Sequence, residues 1–427
     1  MYVSQTFFAS ELMKRFAGFI LFLFVSVTTI LGALELGLVY VLNNPESCPD
    51  ALYAPLRQYY REFDQSIIQY EPTLAKYDSA LFYTLKPGIG RFSNREFDNQ
   101  FLINSAGLRD DEQSLVAPEI IVLGDSYTMG WGVDQDSTYP QILKRELGIS
   151  VLNSGISSYG TAREFGMLNR INTDSLKVLI IQYCPNDLIE NINYIENGNS
   201  LQLSPPETWH RLVSEKKERK KYYPFKHLFT VSKSMKRYSK VDDQFETRKK
   251  ESATPKIGTA EAFLSILRDS DKIPDDAMII VFNVEAENVN NGFISLIKAT
   301  LDGQFASALH DRVSYLDLTG KLDNSNRFIW DPHLNSSGHR TVANEILQHI
   351  QKLPNGYEKR FWTYETGDTS IVCDYYDGLK HGTYKAFWPN GNPSRVARFL
   401  RGSQVGEQLD YLEGGSPKTN GIRSTSY

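Results

Sequence analysis

A serine in the tripeptide Gly124-Asp125-Ser126 is the residue of this 427-residue chain that is best placed for chemistry. The tripeptide follows the apolar run 120–123, which is short and rich in β-branched residues and is therefore typical of a buried β-strand. A serine at the tip of such a strand can act as a nucleophile once a base takes its proton. If a helix follows the turn, its N-terminal N–H groups point at the group that the serine attacks.

The base that this serine needs has one main candidate in the sequence. His333 lies two residues after Asp331, and Pro332 stiffens the turn between them. An imidazole oriented by a carboxylate is the usual partner of a serine nucleophile. The simpler interpretation is an Asp-Pro turn that leads into a helix, with His333 on the surface. His339, inside the predicted helix after this turn, is the weaker candidate for the base.

Two further residues are candidates for stabilising the negative charge that develops when an ester carbonyl is attacked. Gly155 follows the second predicted strand, where the missing side chain lets the backbone approach a substrate closely. Asn186 follows the third strand, and its amide N–H₂ can donate. Together with the backbone N–H of Ser126 they would form an oxyanion hole. Taken singly, each is an ordinary turn residue.

The alternation of strand and helix patterns from about residue 117 predicts an α/β fold. Predicted strands over 120–123, 151–153, 176–183, 278–284 and 313–318 alternate with predicted helices over 139–147, 162–172, 259–268, 289–301 and 336–351. Strands separated by helices imply a mainly parallel five-stranded sheet with helices on both faces, a three-layer α/β/α sandwich. Ligands of such sheets bind beyond the carboxyl ends of the strands, where the candidate residues are all expected.

Together, these blocks resemble the SGNH hydrolase superfamily, also called GDSL esterases and lipases. Their order and spacing match from the Gly-Asp-Ser turn to the Asp-x-His pair. The resemblance implies a flavodoxin-like SGNH fold with Ser126 as nucleophile, His333 as base and Asp331 as the residue that orients it. It also implies an oxyanion hole formed by Ser126, Gly155 and Asn186.

Two positions depart from the family pattern. Cys184 stands where the family usually has glycine, and Asp331 precedes its histidine by two residues where three is common. We expect Cys184 to be a buried small hydrophobic residue rather than a thiol beside the site. The flanking segments 130–133 and 335–339 are similar to a subgroup of the superfamily.

An apolar stretch over residues 16–42, interrupted only by Glu35, is long enough to span a membrane as a helix. Lys14 and Arg15 precede it, so the positive-inside rule predicts a cytoplasmic N-terminus and an extracytoplasmic catalytic domain. A cleaved signal peptide would have a shorter apolar core, and we therefore expect an uncleaved anchor. Glu35 is expected to reach the membrane interface.

The remaining chain divides into segments of different composition. We predict a stub and transmembrane anchor over 1–45, a connecting region over 46–115 and the hydrolase domain over 116–353. Residues 188–258 form a polar, basic insertion, in which the window 215–240 has ten Lys or Arg and two Glu. This insertion is interpreted as a solvated, partly helical segment, as a lid over the site, or as a segment that rests on anionic lipid headgroups.

Residues 355–415 repeat with a period of 24, which relates Gly367 to Gly391 and Gly415, and Gly378 to Gly402. A short period with turn glycines and aromatic strands predicts β-hairpins that form a small antiparallel module. The segment resembles MORN-type repeats, which pack or bind partners rather than catalyse. The tail 416–427 is predicted to be disordered.

The sequence therefore predicts a single-pass membrane protein with a serine esterase domain that hydrolyses an acyl ester, such as an O-acetyl ester on an envelope carbohydrate. An acyltransferase would use the same residues, and the sequence is also consistent with a membrane-surface lipase or thioesterase and with a non-catalytic binding scaffold. No cofactor and no metal are expected, because the nucleophile belongs to the protein itself. The net charge of −5 argues against nucleic acid as a partner, and a protein or lipid is the expected partner of the C-terminal repeats.

Overall fold

The computed structural model describes residues 2–184, 187–235, 258–274, 277–284, 295–301, 309, 312–351, 357–376, 378–400, 402–418 and 423–425. The chain begins with a long helix, α1 (Tyr2–Asn43). By length and apolar composition, its part Met13–Asn43 is a candidate membrane span. Side chains from Phe16 to Leu34 are largely exposed, whereas Glu35 and Leu42 are buried against the rest of the protein.

The region 46–115 is more than the connection that its sequence suggests. It contains helix α2 (Asp50–Tyr59) and two antiparallel hairpins, made by strands β1 (Ala75–Asp78) and β2 (Phe82–Leu85) and by strands β3 (Gly88–Asn94) and β4 (Phe97–Ile103). Alternate residues of β4 are buried, and both hairpins contribute to the same hydrophobic core as the main sheet. The region therefore shares one hydrophobic core with the main sheet.

The central sheet has the predicted five strands, all parallel. They are β5 (Ile120–Leu123), β6 (Val151–Asn153), β7 (Val178–Tyr183), β8 (Met278–Asn283) and β9 (Val313–Leu316), in the spatial order β6-β5-β7-β8-β9. After β5 the chain adds β6 on one side of it, and it then crosses back to add β7, β8 and β9 on the other side. The crevice for a ligand is expected at this point, beyond the carboxyl end of β5.

Helices cover both faces of this sheet. In chain order the helices are α3 (Ser126–Met129), α4 (Tyr139–Leu147), α5 (Thr161–Leu168), α6 (Asp187–Glu196), α7 (Pro206–Lys220), α8 (Thr259–Arg268) and α9 (Ser336–Ile350). Of these, α4, α5, α8 and α9 contribute to the cores on the two faces of the sheet. Ile121 and Leu123 of β5 point into the core shared with α5 and α8, while Ile120 and Val122 point into the core shared with α4 and α9. The predicted three-layer α/β/α sandwich is confirmed.

Most predicted boundaries of helices and strands lie within a few residues of the observed ones. The prediction for α5 extended to residue 172, but the helix ends at Leu168, because the N–H groups of Arg170 and Ile171 turn back to Met167 and Leu168. Of the predicted helix 289–301, residues 289–294 lie outside the described residues, and 295–301 are helical.

The described part of the basic insertion contacts the region 66–77 and helix α1. Trp209 of α7 donates from Nε1 to the carbonyl of Gln69 at 2.9 Å, and Lys220 Nζ lies 2.9 Å from Glu71 Oε1. Residues 226–235 are helical as well. The insertion is thus partly helical, as predicted, while its interpretation as a lid stays a prediction.

The C-terminal strands β10 (Tyr357–Thr363), β11 (Thr369–Tyr376), β12 (Leu379–Phe387), β13 (Pro393–Leu400), β14 (Ser403–Asp410) and β15 (Arg423–Thr425) pair in sequence order as an antiparallel sheet. The repeating glycines Gly367, Gly378, Gly391, Gly402 and Gly415 have φ angles between 77° and 89°, which favour glycine. These hairpins are as predicted, and the resemblance to MORN-type repeats stays a prediction. Strand β15 corrects the expectation of a disordered tail, because it pairs with β14.

Candidate active site

Ser126 lies on a sharp turn at the carboxyl end of β5, as its sequence context predicts. Gly124 there has a φ of 151°, and a Cβ at this position would lie 2.0 Å from Thr128 Oγ1, so only glycine fits. Asp125 caps α3, since its Oδ1 accepts from the N–H of Tyr127 at 3.0 Å. The turn therefore presents Ser126 as the first residue of a short helix.

The structure brings Ser126, His333 and Asp331 together. His333 Nε2 lies 2.7 Å from Ser126 Oγ, and Nδ1 of the same ring is hydrogen-bonded to Asp331 Oδ1. The backbone N–H of His333 also donates to this oxygen at 3.1 Å. This bond closes a tight turn, so the Asp331 carboxylate reaches the His333 ring although only one residue separates them. This is the geometry of a nucleophile, a base and an orienting carboxylate.

The second carboxylate oxygen of Asp331 accepts three side-chain hydrogen bonds. The donors are Tyr60 Oη at 3.0 Å, Gln65 Nε2 at 2.8 Å and Trp131 Nε1 at 3.0 Å. Burial alone would raise the pKa of Asp331, but the charge of His333, the hydrogen bonds from the His333 ring and backbone N–H, and the bond from Gln65 outweigh it and lower the pKa to about 2. The carboxylate is therefore ionised at neutral pH.

Trp131 also fixes the ring of His333. The two rings stack with their centroids 4.7 Å apart and their planes 17° from parallel. Tyr127 packs on the same imidazole, with a centroid distance of 5.0 Å. Because stacking and the bond to Asp331 restrain the ring together, Nε2 is held towards Ser126 without help from a substrate.

The segment that carries Asp331 is held by Glu96, in the turn between β3 and β4. The Glu96 carboxylate accepts from the N–H groups of Ile329, Trp330 and Asp331 at 2.6, 2.9 and 3.1 Å. Burial raises the pKa of Glu96, while these bonds act in the opposite direction. Three consecutive backbone donors fix the path of the chain just before the Asp-Pro-His turn.

The loop after α3 is held by a buried arginine. Arg109 donates to the carbonyls of Gly130 at 2.6 Å and Val133 at 2.7 Å, and its guanidinium lies 3.6 Å from the centre of the Phe101 ring. Burial lowers the pKa of Arg109 to about 9. Region 46–115 thus holds both the loop that follows the Ser126 turn and the segment that carries Asp331.

The structure describes two of the three expected oxyanion donors, and their N–H groups have different surroundings. Ser126 N–H is at the N-terminus of α3, as predicted. The N–H of Gly155 donates to Asn153 Oδ1 at 3.0 Å, within its own turn. Asn186 lies outside the described residues. A Cβ on Gly155 would come within 2.3 Å of Met129 N, so close packing on α3 requires this glycine.

His339 is a core residue and not a base for Ser126. Its ring is fully buried, stacks on Tyr139 and accepts at Nδ1 from the N–H of Tyr139 at 3.2 Å. Burial, with help from the charges of Arg109 and His333, lowers its pKa to about 3, so it stays neutral. Cys184 is buried, as expected for a small hydrophobic residue.

Buried carboxylates lie behind the nucleophile turn. Both oxygens of Glu164 are buried and lack a hydrogen-bond partner within the described residues, while Asp187 accepts from Thr161 Oγ1 at 3.1 Å. Burial and the charge of Asp187 raise the pKa of Glu164 well above its usual value. Among the described residues, no group of three or more His, Cys, Asp or Glu side chains is placed to hold a metal ion.

Sequence reasoning missed Tyr60, Gln65, Glu96 and Trp131 as parts of the site. The first three lie more than 200 residues before Asp331 and belong to no recognisable spacing. Only Trp131 had a signal, because it lies in the flanking segment 130–133 that resembles a subgroup of the family.

The parallel sheet carries the serine turn after its second strand in space and the Asp-x-His turn after its last, so both turns lie at the carboxyl edge of the sheet. No family model and no curated protein matches the sequence.

Several solved structures are similar to part of this chain. TesA is 11% identical, with 55% of this chain and 99% of that chain covered and a TM-score of 0.27. A family two carbohydrate esterase from Cellvibrio japonicus is 14% identical, with 56% and 62% covered and a TM-score of 0.28.

Proposed function

We propose that this protein is a membrane-anchored serine hydrolase that cleaves an acyl ester through a covalent acyl-serine. The observation that carries the proposal is the 2.7 Å contact between His333 Nε2 and Ser126 Oγ, with the opposite ring nitrogen bonded to an ionised Asp331. A serine without such a base is a poor nucleophile.

In the proposed reaction, Ser126 Oγ attacks the ester carbonyl while His333 Nε2 takes its proton. The negative charge then moves to the carbonyl oxygen, which Ser126 N–H stabilises. We assign the Asn186 amide and the Gly155 N–H to the same role, the latter after it leaves Asn153 Oδ1. His333 returns the proton to the departing alcohol, and water, activated by the same ring, releases the acyl group.

Asp331 remains an anion throughout this cycle. Its three further donors stabilise the negative charge, so the proton stays on the imidazole ring when His333 becomes cationic. The imidazolium that forms in each half-reaction is thus stabilised by a fixed opposite charge.

We further propose that α1 anchors the chain in a membrane, with the N-terminus in the cytoplasm and the catalytic domain outside. Two observations favour an anchor that is retained. Leu42 is fully buried, and its carbonyl accepts from Trp330 Nε1 at 3.1 Å. The end of the helix is thereby part of the folded domain, next to the residue that precedes Asp331.

For the substrate, we propose an O-acyl ester on an envelope carbohydrate, which is supported by the family resemblance and the proposed placement outside the membrane. Transfer of the acyl group would use the same residues, with a sugar hydroxyl in place of water. Incubation with a panel of acyl donors, with and without sugar acceptors, separates hydrolysis from transfer when the products are identified by mass spectrometry.

Labelling with a fluorophosphonate probe tests the serine chemistry itself. We expect the wild-type chain and a Ser79→Ala control, which changes an exposed turn serine, to be labelled, and Ser126→Ala to remain unlabelled. Labelling of Ser126→Ala at the wild-type rate, or a folded wild-type chain that does not react, would refute the proposal in favour of a binding scaffold.

A further inference from the structure

The last two turns of α1 are built into the catalytic domain. Glu35, Leu38 and Leu42 lie on one face of the helix, and the two leucines pack in a cluster with Tyr60 and Trp330. The part of the helix before Glu35 that is apolar and exposed, residues 16–34, has 19 residues, or roughly 28 Å at about 1.5 Å per residue. This matches a hydrocarbon core of about 30 Å, so the membrane surface falls close to Glu35.

Glu35 joins α1 to the basic insertion. Its carboxylate accepts from the N–H groups of His227 at 3.2 Å and Leu228 at 2.9 Å, and it lies 2.7 Å from Nδ1 of the His227 ring. These contacts hold the start of the helical segment 226–235 at the level of Glu35. The residues of this segment that face away from the domain therefore lie at the same depth as Glu35, close to the membrane surface.

Residues 222–235, which we call the interfacial segment, have polar residues inside and apolar residues outside. Apart from Val231, which packs with Leu42, the buried residues of its helical part are Lys226, His227, Thr230 and Ser234. The exposed residues include large apolar or aromatic side chains, namely Tyr222, Tyr223, Phe229 and Met235, with Phe229 62% exposed. This is the reverse of the pattern that water favours on a surface helix.

Positive charge lies next to this segment in the chain. The end of α7 that leads into it has exposed Lys217 and Arg219, and the segment itself adds Lys233, while Lys220 and Lys221 pair with Glu71 and Glu218. Aromatic residues flanked by lysine and arginine are typical of helices that lie in the headgroup region of a bilayer.

We propose that the interfacial segment lies in the headgroup region of a bilayer that contains anionic lipid. The inference rests on α1 as a membrane anchor, and it goes beyond that anchor. Two contacts, α1 and the interfacial segment, fix the orientation of the catalytic domain. The turn from Trp330 to His333 is then held near the membrane surface, and the enzyme acts on esters within reach of that surface.

Site-directed spin labelling of the full chain tests this placement. Single cysteines replace Phe229, Val116 or Phe22 in a Cys48→Ser background, because the other two native cysteines are buried. Val116 is the matched control, since it is 61% exposed and precedes β5 at the end of the sheet opposite Ser126. Each protein is reconstituted in phosphatidylcholine vesicles that contain phosphatidylglycerol. Collision of the label with oxygen and with a water-soluble nickel chelate is measured.

We expect the label at 229 to collide preferentially with oxygen and to be shielded from the nickel chelate severalfold relative to the label at 116. The label at 22 reports on the anchor alone. If 22 is shielded and 229 is as accessible to nickel as 116, the interfacial segment is in water and the proposal is wrong, although the anchor stands. If 22 is accessible as well, the anchor itself fails. Spin–spin broadening between labels at 229 would assign the surface to a second copy of the chain and overturn the lipid assignment.

Discussion

The hydrogen bond from Tyr60 to Asp331 gives the sharpest test of how the carboxylate beside His333 is held. Tyr60→Phe removes one of three donors to Asp331 Oδ2 and leaves the buried ring in place. Burial and the negative charge of Asp331 raise the pKa of Tyr60, so it is a donor at every accessible pH. A hydrogen bond to a charged group contributes about 1.5–3 kcal/mol.

This contribution translates into about one to two pKa units for Asp331, at 1.36 kcal/mol per unit. Starting from a pKa of about 2, the carboxylate of the variant would still be ionised at neutral pH. We therefore expect Tyr60→Phe to lower the free energy of unfolding by about 1.5–3 kcal/mol at pH 7. Its kcat should stay within about tenfold of the wild-type value, since the triad keeps its charges.

The pH dependence of this difference has a definite sign. Because the pKa of Asp331 is lowered on folding, its stabilising contribution is present above the unfolded value of about 3.9 and is lost as the pH falls through about 2. The difference in stability between wild type and Tyr60→Phe should therefore be constant near neutral pH and shrink below about pH 4.

Tyr59→Phe is the matched control. Tyr59 is equally buried, but its hydroxyl has no hydrogen-bond partner among the described residues. Guanidinium unfolding of the full chain in a mild detergent, followed by tryptophan fluorescence from neutral to acid pH, compares the two variants. Equal stabilities for Tyr60→Phe and Tyr59→Phe at pH 7 would refute the reasoning, and so would a difference that persists unchanged in acid.

Three other substitutions test separate parts of the site. Gly155→Ala places a Cβ 2.3 Å from Met129 N and should destabilise the protein by about 1–3 kcal/mol or more. The control Gly414→Ala, whose Cβ would have no atom within 4 Å, should not; thermal unfolding of the two variants decides. Glu164→Gln removes a carboxyl group whose pKa is raised on folding. The free energy of unfolding of this variant should therefore rise relative to that of the wild type as the pH increases above about 4, by at most about 1.4 kcal/mol per pH unit. A difference that does not depend on pH would contradict this. Asp331→Asn should lower kcat by about 10³–10⁴ while the tryptophan fluorescence spectrum stays native, and a loss below about tenfold would show that the carboxylate is dispensable.

The sequence by itself determined the nucleophile turn, because local geometry there has few solutions. An apolar run fixes a strand, the glycine at 124 permits a φ that other residues avoid, and the polar residue at 125 caps the next helix. The same holds for the five parallel strands, whose periodic alternation with helices leaves one architecture. The turn glycines of the C-terminal sheet are a third example, since their repeat spacing marks each hairpin.

Only the tertiary structure decided which groups surround Asp331 and which segment packs on the end of α1. Tyr60, Gln65 and Glu96 reach the acid side of the site because the hairpins and α2 fold back over more than 200 residues, and no local pattern encodes such a distant contact. Likewise, Glu35 looked like a charge near the end of an apolar helix, and its bonds to the segment at 227 depend on how two distant helices pack. Local propensity acts over a few residues, whereas a carboxylate selects its donors from whatever the packed core brings within about 3 Å.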